Sequence, residues 1–330
     1  MWLVAKRDFL ALAFVVSNCA ALAAAATPVE VSKSTTAKYQ AERAEAVRVL
    51  AARPDANSLA TAAAFNFLGW GEPPPPPSSL ELIARASDLA PENAGIGWLH
   101  LQLCAATPNC DTRDLATVLR WIDPDNSAAW LSTLAAAQKD KDTMEVDRVL
   151  AEMARGTRFD LYFNQLVVLM FDALRGVQHQ LHGAYAGSDA VRFVALVGIA
   201  AAEIIPPLKP LTDACRESAA ATERREDCLK VAKIMQRGDT VIIQMLGYSI
   251  EKRFLPPDSK EARSLAERRS LLEWRSSAAG KLDLSILPWT QNARTRARIA
   301  EMRLRPREED VCIALLRAHK MALEPAEHPR

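Results

Sequence analysis

Helix-start signals recur along this 330-residue chain and constrain its fold more than any other sequence feature. At four places a side-chain acceptor is followed three residues later by an acidic residue. These pairs are Ser78 with Glu81, Asp111 with Asp114, Asp142 with Glu145, and Asp258 with Glu261. Each acceptor can bind the free N–H groups of a helix start. Apolar residues recur at helical spacing between the signals, and strand alternation is not convincing anywhere. The sequence therefore predicts an all-α fold.

The composition narrows the function classes. Only 12 residues are glycine, which argues against folds that cradle nucleotides in glycine-rich loops. The chain has 41 basic and 40 acidic residues, so its net charge of +1 gives no field to attract nucleic acid. We therefore expect no nucleic-acid partner and no cofactor.

The first 26 residues have the pattern of a secretory signal peptide. Lys6 and Arg7 precede the apolar run 9–16, and alanines lead to a cleavage site near Ala26. This predicts a periplasmic or secreted protein. Two alternatives are an uncleaved anchor and a lipid anchor at Cys19. The later apolar runs 161–174 and 193–205 are too short to cross a bilayer, so we expect buried core helices and no transmembrane span after signal removal.

Five cysteines remain after the signal segment, in keeping with an oxidising compartment. Cys104 and Cys110 can clamp a loop between two helices. Cys215 and Cys228 lie 13 residues apart, about 20 Å on one straight helix, so a bond between them requires a turn. This predicts two disulfides and a stapled hairpin over 211–237. Cys312 is left over and is expected to be a buried thiol, with an intermolecular bond or another pairing scheme as alternatives.

A repeat signal lies in the first half of the chain. LAPENAGIGW and IDPDNSAAW share a proline, an acidic residue, an asparagine and a later tryptophan. The signature residues are Pro91, Trp98, Pro124, Asp125, Asn126 and Trp130. The two prolines are 33 residues apart and the two tryptophans 32, a period typical of helical hairpins. We expect Trp98, Trp121 and Trp130 to lie in the core.

This region resembles tetratricopeptide repeats, best over residues 91–156. It departs from them at Leu134 and Val146, where the family packs small residues, and at Arg158, where a further proline is expected. The resemblance implies a solenoid-like region over 27–156, with a proline-rich loop at 73–77, that binds a protein or peptide segment. Residues 157–330 are expected to form a bundle of longer helices. An irregular α-bundle throughout is the alternative.

Catalytic motifs are scarce. His179 and His182 form a histidine cluster, near Asp172, Tyr185 and Asp189 in sequence, and would share one helical face if the helix continued. They are weak metal-ligand candidates, and no catalytic residue is assigned. Six arginines between 294 and 307 are expected to form a solvated face with internal ion pairs.

These observations favour a non-enzymatic interaction module with an unidentified protein or peptide partner. The alternatives are a metal-dependent or hydrolytic enzyme that uses the His179 and His182 region, and a lipid-anchored structural protein of the cell envelope.

Overall fold

A computed structural model describes residues 33–67, 77–216, 222–283 and 288–325. The predicted signal peptide 1–26, with Cys19, and residues 73–76 of the proline-rich loop lie outside the described residues. Within those ranges the regular structure is helical, and the only strand-like pairing is an isolated bridge between Asn126 and Arg158. The predicted all-α class is confirmed. None of the helices in these ranges combines the length and the apolar character needed to cross a bilayer.

The helices up to residue 153 pack mainly against their neighbours in sequence, from α1 on α2 to α4 on α5. They are α1 (Lys33–Ala51), α2 (Ala56–Phe67), α3 (Ser79–Leu89), α4 (Ala94–Ala106), α5 (Arg113–Ile122), the 3-10 turn η1 (Ser127–Trp130), α6 (Leu131–Lys139) and α7 (Thr143–Met153).

The remaining helices include the longest one among the described residues, which has 24 residues. They are α8 (Phe163–Val177), the 3-10 turn η2 (Gln178–Gln180), α9 (Gly183–Ala186), α10 (Asp189–Glu203), α11 (Lys209–Ala214), α12 (Thr222–Met235), α13 (Val241–Lys252), α14 (Lys260–Asp283), α15 (Pro288–Leu304) and α16 (Glu308–Ala318).

Two of the four predicted helix caps form as expected. Ser78 makes a full capping box with Glu81, and the Asp142 carboxylate accepts the N–H of Glu145 at 3.0 Å. The other two differ from the prediction in their bonding partners. Thr112 directly precedes α5 but makes no side-chain cap bond, and the Asp111 carboxylate accepts the N–H of Arg113 at 3.0 Å. Ser259, one residue after Asp258, accepts the N–H of Ala262 at 3.0 Å.

The core is centred on α2 and α8. Every residue of α2 from Ser58 to Asn66 is buried, because its many alanines let neighbours approach on all sides. Helix α8 packs against α2, α10 and α15. The predicted apolar runs 161–174 and 193–205 thus lie mainly in α8 and α10, which meet inside the protein.

Gly156, the predicted domain boundary, lies in a tight turn between α7 and α8. A Cβ there would be 2.3 Å from Oγ of Ser127 and 2.9 Å from the carbonyl oxygen of Asp125. One hydrophobic cluster of buried residues continues on both sides of it, from Ala46 to Leu315. The two regions therefore share a core, and their division at Gly156 stays a sequence prediction.

Both predicted cysteine pairs are joined. Cys104 and Cys110, with Cα atoms 5.3 Å apart, link the end of α4 to the loop before α5. Cys215 and Cys228, 5.6 Å apart, link the end of α11 to α12. Cys312 lies outside both bonds and is buried on α16, beside Ala278, Ala279 and Leu316. The buried position agrees with the expectation from sequence.

Three helix starts meet at the buried Asp239. Its Oδ2 accepts the N–H groups of Leu161 and Phe163 at 2.9 and 3.1 Å, just before and at the start of α8. Its carbonyl oxygen accepts the N–H of Glu308 at 2.7 Å, and the Glu308 carboxylate accepts the N–H of Val241 at 2.9 Å. The starts of α8, α13 and α16 are thereby held together.

Most of the arginines between 294 and 307 have intramolecular partners. These are the Leu282 carbonyl for Arg294, Asp189 for Arg296, Asp172 for Arg303, Glu301 for Arg305 and Glu309 for Arg307. Arg298 lies over the ring of Phe193 at 5.8 Å. The expected pattern of internal pairs is confirmed.

Two glycines inside helices should respond oppositely to alanine. A Cβ on Gly247 would be 2.7 Å from the carbonyl oxygen of Ala232, so Gly247→Ala must separate α13 from α12 and should cost about 1–3 kcal/mol. A Cβ on Gly198 meets nothing within 4 Å, so Gly198→Ala should gain up to about 1 kcal/mol through helix propensity. Urea denaturation of both variants measures whether each substitution lowers or raises the free energy of unfolding. A Gly247→Ala protein as stable as wild type would contradict the close approach.

The carboxyl of Asp239 should make stability depend on pH. Burial raises its pKa from 3.8 in ordinary surroundings to about 8, so the folded state holds a proton that the unfolded state has lost. The free energy of unfolding of wild type should therefore fall, relative to Asp239→Asn, as pH rises from about 4 to about 8. The slope should reach at most about 1.4 kcal/mol per pH unit. Urea denaturation of both proteins at several pH values gives this difference, which would be constant if Asp239 did not titrate in this range.

Candidate functional site

Trp98, the first repeat tryptophan, is a core residue. It is fully buried on α4, and its Nε1 donates a hydrogen bond to the carbonyl oxygen of Ile204 at 3.0 Å. Its ring lies 6.2 Å from that of Tyr162. Pro91 lies exposed in the turn before α4. The position of Trp98 agrees with the expectation from sequence.

Asn126 anchors the second repeat unit. Its Oδ1 accepts the N–H groups of Ala128 and Asp160 at 3.1 and 2.9 Å, and its Nδ2 donates to the carbonyl oxygen of Asp160 and to the hydroxyl of Tyr162. Tyr162 donates in turn to the buried carboxylate of Asp123. Burial, together with this hydrogen bond, raises the pKa of Tyr162 far above its usual 10.0, so the hydroxyl remains a donor at neutral pH.

Pro124 and Asp125 form the exposed turn between Asp123 and Asn126. The carbonyl oxygen of Asp125 accepts the N–H groups of Thr157 and Arg158 at 3.0 and 3.3 Å. These signature residues therefore tie the start of η1 to the segment that leads into α8.

Two guanidinium groups lie over the ring of Trp130. The Cζ atom of Arg120 is 4.3 Å from the ring centroid of Trp130, and that of Arg148 is 5.5 Å from it. Arg120 comes from α5 and Arg148 from α7. The tryptophan is half-buried rather than enclosed. It thus holds two cations near the protein surface by cation–π contacts.

Trp121 is on the surface, which contradicts its predicted place in the core. Its exposed fraction is 78%, and Val118, one turn earlier on α5, is 53% exposed. The residues of α5 that turn inward are Ala116 and Leu119. Met144 on α7 is 83% exposed and lies four residues before Arg148, on the same helix face.

We name these six residues the Trp121 surface. They are Val118, Arg120, Trp121, Trp130, Met144 and Arg148. Both arginines are cationic, but among the described residues only Arg148 has a carboxylate partner, Glu145 at 2.6 Å. Arg120 donates to the hydroxyls of Thr133 and Thr117, at 3.1 and 3.0 Å. Burial, followed by the charge of Arg148, lowers the pKa of Arg120. The surface therefore combines exposed apolar side chains with positive charge that is only partly neutralised.

The structure does not unite the histidine cluster into a site. Helix α8 ends at Val177, His179 lies in η2, and Leu181 is extended, so His179 and His182 do not share one helix face. Both are exposed. Among the described residues no group of three or more metal-ligating side chains could hold an ion.

The acidic and aromatic neighbours predicted for that cluster have other partners. Asp172 pairs with Arg303, and Asp189 pairs with Arg192 and Arg296 at 3.3 and 3.2 Å. The ring of Tyr185 packs against Phe65 with centroids 5.0 Å apart.

The sequence contained a signal for the exposure of Trp121 that our core assignment did not use. Ala116 and Leu119 mark the buried face of α5, and a residue two positions after Leu119 lies about 200° around the helix. The cation pair on Trp130 has no such local signal, because Arg120 and Arg148 are 28 residues apart in sequence.

Comparisons with known proteins do not assign this chain to a family. No protein-family model matches the chain, and no curated protein or solved structure shows significant similarity to it.

Alanine substitution of Trp98 and of Trp121 should affect stability very differently, because one ring lies in the core and the other on the surface. Trp98→Ala removes a fully buried ring and its hydrogen bond, so it should cost about 3–5 kcal/mol of unfolding free energy. Trp121→Ala removes a ring that is already in water and should change stability by no more than about 0.5 kcal/mol. Urea denaturation measures both. A large loss for Trp121→Ala would show that its ring packs inside the folded protein.

Proposed function

We propose that this protein is a non-enzymatic interaction module of the periplasm or of the extracellular space. The Trp121 surface binds its partner, a protein segment that carries acidic side chains around an apolar anchor. The observation that carries the proposal is the 78% exposure of Trp121, the residue after Arg120, which lies with Arg148 over the ring of Trp130.

The residue types support a binding role for this surface. Tryptophan and arginine are enriched among the side chains that contribute most to protein–protein affinity. Trp121, Val118 and Met144 expose apolar area that gains free energy when a partner removes it from water. Since the inward face of α5 is made by other residues, this exposed area does not serve the packing of the helix.

The charge of the surface favours an acidic partner. Arg120 has no carboxylate within ion-pair distance among the described residues, and its charge is close to that of Arg148. A carboxylate placed beside Arg120 would offset this repulsion. An apolar side chain next to that carboxylate can cover Trp121. One short segment of a partner can therefore both neutralise Arg120 and bury the exposed ring.

Two further features support the proposed setting. Disulfides persist in oxidising compartments, and both cysteine pairs are joined here. The helical hairpins before residue 156, with the repeat spacing found in the sequence, are of the kind that presents one face to a peptide.

Site-specific crosslinking in the native host tests the proposal. Asp114 is exposed and lies seven residues before Trp121, on the same face of α5. A photoreactive side chain at position 114 should capture one protein, and the captured peptide should contain acidic residues. When the same photoreactive chain also carries Trp121→Ala or Arg120→Gln, the yield of the crosslinked product should fall at least 10-fold.

The matched control uses the exposed apolar residue of another helix. Val194 on α10 is 71% exposed, so Val194→Ala removes apolar surface without affecting the Trp121 surface. It should leave the product unchanged. A product that persists in Trp121→Ala, or whose captured peptide lacks acidic residues, would refute this binding mode.

A further inference from the structure

A polar cavity of about 840 Å³ opens between α12, α13, α14 and the start of α16. It is separate from the Trp121 surface, and the proposed function does not use it. Its lining is mainly charged: five cations and three carboxylates, which give a net charge of +2. The cations are Lys233, Arg237, Lys260, Arg268 and Arg307, and the carboxylates are Glu251, Glu261 and Glu309. Its volume is within the range of small-molecule sites, about 300–1,000 Å³.

Three polar residues of the lining are at least nine-tenths buried. Their exposed fractions are 8% for Gln236, 9% for Tyr248 and 9% for Glu251. The side-chain amide of Gln236 donates to Oε2 of Glu251, and within the described ranges Oε1 of Glu251 accepts no hydrogen bond. The wall of the cavity therefore contains a carboxylate oxygen, on a largely buried side chain, that is available to a hydroxyl donor.

Arg268 is held over the cavity by neutral groups. Its Cζ atom lies 5.7 Å from the ring centroid of Tyr248, and its Nη1 is 3.4 Å from Oε1 of Gln236. No carboxylate of the described chain lies within ion-pair distance of Arg268, Lys233 or Lys260. These cations thus have no internal counter-charge at short range.

Arg307 lines the cavity and also carries a buried donor. It contacts Glu309 at 2.9 Å through Nη2, whereas its Nε–H is buried and has no acceptor among the described residues. A buried donor without an acceptor costs about 1–3 kcal/mol. The cavity therefore combines unneutralised cations with a carboxylate oxygen and a phenol on its wall.

We propose that this cavity binds a small anionic polyol, a sugar that carries a carboxylate or a phosphate group. The anionic group pairs with Arg268 and the neighbouring lysines. The sugar hydroxyls donate to Glu251 and to the other acceptors of the wall. Cations alone would favour any anion, and the carboxylate of Glu251 is what selects a ligand with several hydroxyl donors, because sulfate has none and inorganic phosphate has only its P–OH groups.

Titration calorimetry on the full chain tests the proposal with four probes. They are glucuronate, glucose 6-phosphate, glucose and inorganic phosphate. One or both of the anionic sugars should bind, and which one does so distinguishes a carboxylate from a phosphate ligand. Glucose lacks the charge and inorganic phosphate lacks the sugar hydroxyls, so each should bind at least 10-fold more weakly.

Two variants locate the site. Arg268→Gln should weaken the anionic sugar at least 10-fold. The matched control is Arg269→Gln, because Arg269 is the next residue on α14 and pairs instead with Glu273 at 3.1 Å, so its loss should leave affinity unchanged. Glu251→Gln should weaken binding of the anionic sugar, with its several hydroxyl donors, more than binding of inorganic phosphate.

Several outcomes would overturn the proposal. One is the absence of binding by both anionic sugars at 10 mM. Another is an affinity for glucose or for inorganic phosphate equal to that for the anionic sugar. The cavity would then recognise only the hydroxyls or only the charge. Equal losses in Arg268→Gln and Arg269→Gln would place the binding outside this cavity. Circular dichroism of each variant establishes that it is folded before its affinity is compared.

Discussion

The buried carboxyl of Asp239 is the contact on which the arrangement of the helices depends. It accepts the N–H groups of Leu161 and Phe163 at the start of α8, and its own carbonyl oxygen binds the first residue of α16, Glu308. Glu308 in turn caps α13 at Val241. Because α8 packs against helices of both sequence halves, its position fixes theirs. Burial of two carboxyl groups is unfavourable in itself, and the helix N–H groups offset part of that cost.

Features set by residues close in sequence were predictable. The caps at Ser78 and Asp142 and both disulfides join positions no more than 13 residues apart, so spacing alone carries the information. The all-α class follows from the same local periodicity. The cap expected at Asp258 lies one residue later because Ser259 offers an equivalent acceptor, whereas the Asp111 carboxylate itself binds the first N–H of α5.

Features that depend on distant residues were not predictable. Asp239 does not itself precede a helix in sequence as a cap, since Thr240 caps α13, and its partner Leu161 is 78 residues away. The cavity joins Lys233 to Glu309, and the cation pair on Trp130 joins two helices. Trp121 differs from these cases, since its exposure follows from the helical position of Leu119. Our assumption that a tryptophan belongs in the core outweighed that pattern.

Each disulfide restrains a helix that carries one of the two proposed sites. Helix α5 buries only Ala116 and Leu119, so apolar packing holds it weakly, and the Cys104–Cys110 bond fixes the loop from which it starts. The Cys215–Cys228 bond likewise fixes α12, which leads to the cavity. Helices α7 and α12 also pack together. The two sites are therefore parts of one framework, and their geometry depends on an environment in which both bonds stay oxidised.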